Sequence, residues 1–324
     1  MKILFIGYSN LLKKRILPIL DKLEFVDSIN IAKFVDQSWD DFYKSISKPV
    51  KLFDNYEDAT NNSDASIAYI TTTNNSHFIW AKTVLNAGMH TIIDKPATIH
   101  FSETEELIDI ARGKGLLLSE STVYTYHPQL VLIKNIIKQN NSAPKLLTVH
   151  FSFPPLDGNN FRYHKELGGG AFLDTSPYAV SLGRFFFDSV PEQCNYLENT
   201  TLDDGLEISY SLLLKYSNGR ALIGHFGFNT EYINRLNILG NRICVDAERI
   251  FTIPDSVKNL IKVKVDNRSF EVTAPCGNAF ELYLNEIGNS IKNNAFDRFY
   301  NEMYMDSFAR ELIYNNINNN QNEH

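Results

Sequence analysis

Residues 66–96 read SIAYITTTNNSHFIWAKTVLNAGMHTIIDKP, and their pattern decides how the first part of the chain folds. The apolar run Ser66–Thr71 passes into a polar turn, Thr72-Thr73-Asn74-Asn75, whereas Ser76–Asn86 spaces its apolar residues at three and four. A second apolar run, His90–Ile93, follows Gly88 and stops at Asp94-Lys95-Pro96. Strand, amphipathic helix and strand in this order make one β-α-β unit, whose two strands lie parallel because the crossover helix returns the chain to the same end of the sheet.

The alternation continues in both directions. Lys2–Ile6 and Ser28–Phe34 read as strands on either side of the amphipathic stretch Leu11–Leu23; Ser102–Lys114 reads as a helix and Leu116–Ser119 as a strand. Residues 1–122 therefore predict a doubly wound parallel sheet of the Rossmann, dinucleotide-binding kind. After about Tyr124 the character changes. A helix near Pro128–Lys138 precedes longer strand-like runs at Lys145–Phe153, Glu207–Tyr216, Arg220–Phe228 and Ile233–Leu239, with shorter ones at Arg242–Asp246, Val257–Val265 and Ser269–Val272. Turn signals such as Ser217-Asn218-Gly219 indicate antiparallel pairing, and Ala171–Phe186 interrupts the strands as a helix. Residues 123–324 thus predict an α+β domain with a mainly antiparallel sheet, closed by helices near Ala279–Lys292 and Asn301–Tyr314 and a fraying polar tail, Asn315–His324.

With 44% hydrophobic residues, 21% charged residues and a net charge of −7, the chain has no basic field for nucleic acid or an anionic membrane. No run reaches the roughly 18 apolar residues of a membrane span, and the first segment reads as a strand, not a signal peptide. Cys194, Cys244 and Cys276 form neither a Cys-x-x-Cys pair nor a metal-ligand set with histidines, so a reducing cytoplasm and no metal are expected.

A dinucleotide fold needs a glycine turn after its first strand, where pyrophosphate approaches the backbone at a helix start. Gly7-Tyr8-Ser9-Asn10-Leu11-Leu12 keeps only the first glycine of the Gly-x-Gly-x-x-Gly pattern; Ser9 is small, but Leu12 is bulky where glycine or alanine is usual. Lys33, at the end of the second strand, is placed to read the adenosine ribose and leans toward NADP over NAD, since a cation suits a 2′-phosphate; a solvated surface lysine is the alternative.

Three segments together resemble the Gfo/Idh/MocA oxidoreductase family. They are Thr71-Thr72-Thr73-Asn74-Asn75-Ser76-His77 with the later Asp94-Lys95-Pro96; Glu120 to Gln129, containing Tyr126-His127-Pro128; and Leu167-Gly168-Gly169-Gly170-Ala171-Phe172-Leu173-Asp174-Thr175-Ser176-Pro177-Tyr178. Asp94 stands where the family usually has glutamate, and Thr125 where it usually has arginine. The resemblance implies that Lys95 binds the substrate oxygen and the nicotinamide ribose. The glycine turn, the end of the second strand and the resemblance together make Gly7, Tyr8, Ser9, Asn10, Leu11, Lys33, Thr71, Thr72, Asn75, His77, Asp94, Lys95 and Glu120 the candidate cofactor contacts, with NADP or NAD as the cofactor. The resemblance also implies a homo-oligomer formed through the second-domain sheet.

Hydride transfer to or from a carbon bearing oxygen moves a proton on that oxygen, so an acid or base and a charge stabiliser are needed. Lys95 suits this work. Asp174 and Tyr178 lie four apart on one predicted helix, and a phenol with an ordinary pKa near 10 needs a cation such as Lys95 to exchange protons at neutral pH. Lys95, Tyr178 and Asp174 are therefore the catalytic candidates; Tyr126, Arg162 and Tyr163 join Lys95, Asp174 and Tyr178 as candidates for binding a sugar-like substrate, nucleotide-linked sugars included. Two alternatives remain: a non-catalytic ligand-binding or regulatory protein on the same scaffold, and a dehydrogenase of a non-sugar cyclic alcohol or diol.

Overall fold

The computed structural model describes residues 1–321, with side chains to Ile317. Its contacts divide the chain into two units: Met1–Ser121 with Phe280–Tyr304, and Thr122–Ala279 with the remainder of the C-terminal segment. Phe280–Tyr304, expected within the second domain, belongs with the first because its side chains pack there. The Tyr283 hydroxyl donates to Ser119 Oγ at 2.8 Å, that of Tyr300 bonds the Leu116 carbonyl, and Gly288 rests against the Phe25 ring.

In the first unit, β1 (Lys2–Ile6), β2 (Ser28–Ala32), β3 (Val50–Phe53), β4 (Ile67–Ile70), β5 (His90–Ile93) and β6 (Leu118–Glu120) form one parallel sheet in the order β3-β2-β1-β4-β5-β6. Helices α1 (Tyr56–Asn62), α2 (His77–Asn86) and α3 (Phe101–Lys114) connect the strands. β4 is buried along its whole length, as a sheet covered on both faces requires. Two elements here gave no sequence signal. β3 reads Val-Lys-Leu-Phe and sits at the sheet edge, where only Phe53 is fully buried, so its apolar content is low; α1 is a short polar helix capped by Asn55, whose side chain accepts from the Asp58 N–H at 2.7 Å.

The expected helix over Leu11–Leu23 is not a regular one. It consists of a π-helical turn, Leu12–Ile16, followed by a 3-10 segment, Leu17–Lys22. Pro18 has no N–H to return to the preceding turn, which breaks the α-helical ladder; the wider π turn also buries bulky Leu12 completely.

The second unit contains α4 (Pro128–Gln139), β7 (Pro144–Ser152), α5 (Ala171–Phe187), β8 (Gln193–Thr201), β9 (Glu207–Tyr216), β10 (Arg220–Gly227), β11 (Ile233–Gly240), β12 (Ile243–Glu248), β13 (Leu260–Val265) and β14 (Arg268–Thr273). Its strands form an eight-stranded sheet in the order β14-β13-β12-β11-β7-β10-β9-β8, antiparallel throughout except where β7 and β10 run parallel. Alternation along β11 and β13 puts one face into the core and leaves the other open. β8 went unread in the sequence because it is a polar edge strand in which Tyr196 alone is fully buried. Helix α6 (Ala279–Asn293) precedes α7 (Asp297–Gln321), which is longer than the expected Asn301–Tyr314 and takes in most of the segment read as a fraying tail; residues 322–324 of that tail lie outside the described residues. Among the described residues no helix is long and apolar enough to cross a membrane.

Candidate functional site

At the end of β1 the chain turns at Gly7 with φ +107°, and a Cβ there would lie 2.9 Å from both the carbonyl carbon and oxygen of Thr71. Glycine is required by both counts. Thr71, just past β4, donates its hydroxyl to the Gly7 carbonyl at 2.8 Å, so the carboxyl ends of two neighbouring strands are fastened together. Tyr8 is buried, Ser9 and Leu11 are partly buried and Asn10 is exposed; Ser9 Oγ accepts from the Leu12 N–H at 3.2 Å. A positive-φ glycine at the carboxyl end of the first parallel strand, leading into a helical turn, is the local geometry that suits the pyrophosphate of a dinucleotide, and it is kept here with the later glycines missing.

The other candidates of this unit follow the carboxyl ends of neighbouring strands. Lys33 follows β2 and is 7% exposed, its ammonium 3.2 Å from Asp54 Oδ1. After β4, Ser76 Oγ donates to Thr72 Oγ1 at 2.7 Å, and the Thr73 hydroxyl donates to Oδ1 of exposed Asn75 at 2.8 Å. After β5, Asp94 accepts from Ser121 Oγ at 3.1 Å; burial raises its pKa, and the charge of Lys95 and His77 opposes that rise. Lys95 is half-buried and joined to Pro96 by a cis peptide. Glu120, buried at the end of β6, accepts the Ala97 N–H at 2.7 Å and so fixes the turn that carries Lys95.

His77, a candidate cofactor contact, lies wholly inside. Its Nδ1 faces the Pro96 carbonyl at 2.8 Å and its Nε2 the Thr72 carbonyl at 3.1 Å. The ring therefore ties the turn after β4 to the turn after β5.

In the second unit three glycines precede α5. A Cβ on Gly169 would sit 2.7–2.8 Å from the carbonyl oxygens of Phe161, Arg162 and His164. These contacts fold the 161–164 loop back on the helix start, where Arg162 pairs with buried Asp174: Nη2 donates to Oδ1 at 2.9 Å, and Nε stands 2.8 Å from Oδ2 within ion-pair distance. Arg162 thus orients Asp174, whereas the sequence suggested only a cleft-lining cation. Tyr163 likewise has a bracing role, its hydroxyl accepting the Leu156 N–H at 2.9 Å and its ring lying 5.4 Å from that of Phe228.

One turn beyond Asp174, half-buried Tyr178 is held among aromatic rings, with centroids 5.6 Å from Tyr124, 5.0 Å from Phe151 and 4.9 Å from Phe251. The Tyr124 hydroxyl bonds Ser181 at 2.7 Å and the Tyr178 carbonyl at 3.3 Å, which fixes the helix beneath the phenol. Tyr126 is half-buried, and neighbouring His127 caps α4 by accepting the Gln129 N–H at 3.2 Å.

Three carboxylates that shape these sites escaped the sequence reading. Asp40 bonds the Tyr8 hydroxyl and Lys13, Asp54 pairs with Lys33, and Glu207 accepts the Phe172 N–H at 3.0 Å at the start of α5. Each reaches its partner across the fold, so no local spacing announces it.

Residues 1–122 match a family model described as an oxidoreductase family with an NAD-binding Rossmann fold, and residues 140–245 match the GFO/IDH/MocA C-terminal domain. Among curated relatives, a dTDP-3,4-didehydro-2,6-dideoxy-alpha-D-glucose 3-reductase of Saccharopolyspora spinosa is 27% identical over 65% of this chain and 64% of its own length. The chain therefore spans somewhat under two thirds of that relative. A protein of the same name from Actinomadura kijaniata is 22% identical over 92% of this chain and 89% of its own. The crystal structure of a variant of KijD10, a 3-ketoreductase from Actinomadura kijaniata in complex with NADP and TDP-benzene, superposes with a TM-score of 0.88 at 19% identity, covering 98% of this chain and 97% of that one.

Proposed function

Because the chain belongs to the GFO/IDH/MocA oxidoreductase family, we propose that it is an NAD(P)-dependent reductase or dehydrogenase acting on the ketone or alcohol carbon of a sugar, most favourably a nucleotide-linked one. The observation that carries the reading is the turn after β5, where Lys95 stands between Asp94 and Pro96 on a loop braced by Glu120 and His77. The names of the relatives support the substrate class: the Saccharopolyspora and Actinomadura proteins are named as reductases of a dTDP-linked didehydro sugar.

The nicotinamide, when bound, supplies or accepts the hydride. Gly7 to Leu11 take the pyrophosphate, with Thr71, Thr72 and Asn75 alongside, and Asp94 and Glu120 set the Lys95 turn. The Lys95 ammonium stabilises negative charge on the substrate oxygen and lowers the cost of moving a proton to or from it. In the second unit Tyr178 is the candidate proton donor and acceptor, and Asp174, paired with Arg162, accepts a hydrogen bond from a sugar hydroxyl. Tyr126 supplies a further polar edge to the sugar.

Three free cysteines suit a reducing compartment, in keeping with a cytoplasmic enzyme. The open sheet face exposes Leu197, Leu213 and Ile223, which is the surface on which we place a homo-oligomer contact. Light scattering on the purified protein checks that contact, a monomer at all concentrations removing it. The function is tested by a turnover screen with NADPH, NADH and their oxidised forms against keto nucleotide sugars, free sugars, inositols and diols. Turnover confined to inositols or diols would replace the sugar reading, and absence of turnover with every class would favour a binding protein.

A further inference from the structure

In doubly wound folds the residue after the second strand meets the adenosine ribose: a carboxylate there accepts the free 2′-hydroxyl, and a cation holds a 2′-phosphate. This chain brings both groups to that place, from two different strands. Lys33 comes from the end of β2, and Asp54 from the end of β3, which pairs with β2 in parallel register, Ala32 opposite Phe53. Asp54 Oδ1 lies 3.2 Å from the Lys33 ammonium and also accepts the Trp39 indole N–H at 3.0 Å. The two partners differ in access: the lysine side chain is 8% exposed and the aspartate side chain 78% exposed. Lys33 is further held by the Val35 carbonyl at 3.3 Å and lies 5.8 Å from the Trp39 ring centroid, so its ammonium is fixed while the carboxylate faces solvent.

Beside this pair stands an aromatic edge with an uncommon degree of exposure. Phe34 is 56% exposed, its ring 6.4 Å from Tyr56, which in turn meets Trp80 edge-on at 5.0 Å. Two neighbouring aliphatic side chains, Val35 and Ile79, are exposed as well. A flat apolar edge next to a cation and a carboxylate is what an adenosine with or without a 2′-phosphate would recognise.

Building on the proposed NAD(P)-dependent function, we infer that Asp54 sets the choice between NAD and NADP. Its carboxylate competes with a 2′-phosphate for Lys33 and offers an acceptor to a 2′-hydroxyl, while the edge of Phe34 takes the adenine. Lys33 therefore does not act as an independent NADP determinant; its preference is governed by the acid paired with it.

The test is a fluorescence titration of NADPH and NADH on the wild type, Asp54→Asn and Lys33→Met, read as the ratio of the two Kd values so that a general loss of affinity cancels. Removing the carboxylate should shift the ratio toward NADPH roughly fivefold to thirtyfold, and removing the cation should shift it toward NADH by a similar factor. Because Asp54 is exposed, its variant is not expected to disturb folding. A wild type that binds both dinucleotides while Asp54→Asn leaves their ratio within about twofold would overturn this inference and leave the proposed function standing. A wild type that binds neither dinucleotide would overturn both.

Discussion

The two glycine turns of this protein solve different problems. At Gly7 the missing Cβ and the positive φ let the turn after β1 close on the backbone of Thr71, so that two neighbouring strand ends are joined where we propose that the dinucleotide binds. At Gly169 it lets three carbonyl oxygens of the chain's own 161–164 loop approach, and that loop delivers Arg162 to Asp174. The helical segments that follow differ accordingly. The first is a π turn and a 3-10 segment around Leu12 and Pro18; the second is the 17-residue α-helix α5, which carries Pro177 inside it and is held at its start by Glu207 and further along by the buried pair of Arg184 with Asp306. Glycine in the first unit serves the joining of two strand ends, and in the second it serves the placement of a side chain.

Gly169→Ala breaks the second turn most severely, because backbone rather than flexible side chain occupies the space. Urea denaturation should show a loss of about 3 kcal/mol, and any folded fraction should have reduced kcat as Arg162 leaves Asp174. A loss under about 1 kcal/mol would mean that the 161–164 loop yields easily and does not depend on Gly169.

Gly7→Ala should cost less stability, about 2 kcal/mol for a positive φ and a close backbone contact, but should weaken dinucleotide binding at least tenfold. Isothermal titration with NADPH separates the two effects. Equal stability losses from both alanine substitutions with unchanged NADPH affinity would erase the distinction drawn between the turns.

The smallest effect concerns Glu207, whose pKa burial raises, the Phe172 N–H opposing that rise. A carboxyl with a raised folded-state pKa contributes stability that is present at low pH and is lost as pH rises through that pKa. Glu207→Gln keeps an oxygen for the Phe172 N–H and cannot ionise. Lowering the pH from neutral toward 5 should therefore raise the wild-type melting temperature relative to the variant, by the equivalent of up to about 1 kcal/mol. Parallel melting curves across that range would show that the carboxylate is compensated at the helix start.

The fold was legible wherever apolar residues repeat with a clear period. β1, β4 and β5 were read because central strands of a covered sheet must be apolar throughout, while β3 and β8 were missed because edge strands carry too few buried residues to leave a pattern. Lys95, Asp174 and Tyr178 stood out through local motifs. Asp54, Asp40 and Glu207 did not, since each is defined by a partner 21 to 35 residues away in the chain or by strands that meet only after folding. Arg162 was visible as a residue, but its bond to Asp174 depends on the glycine contacts that fold its loop back, which sequence spacing alone does not specify.

The most direct test of the role of Lys95 is steady-state reduction of a keto nucleotide sugar by wild type and Lys95→Ala, with NADPH affinity measured on the same samples. In Lys95→Ala kcat should fall roughly a hundredfold to ten-thousandfold, with NADPH binding changed by no more than about fivefold. Turnover by Lys95→Ala at the wild-type rate would contradict that role.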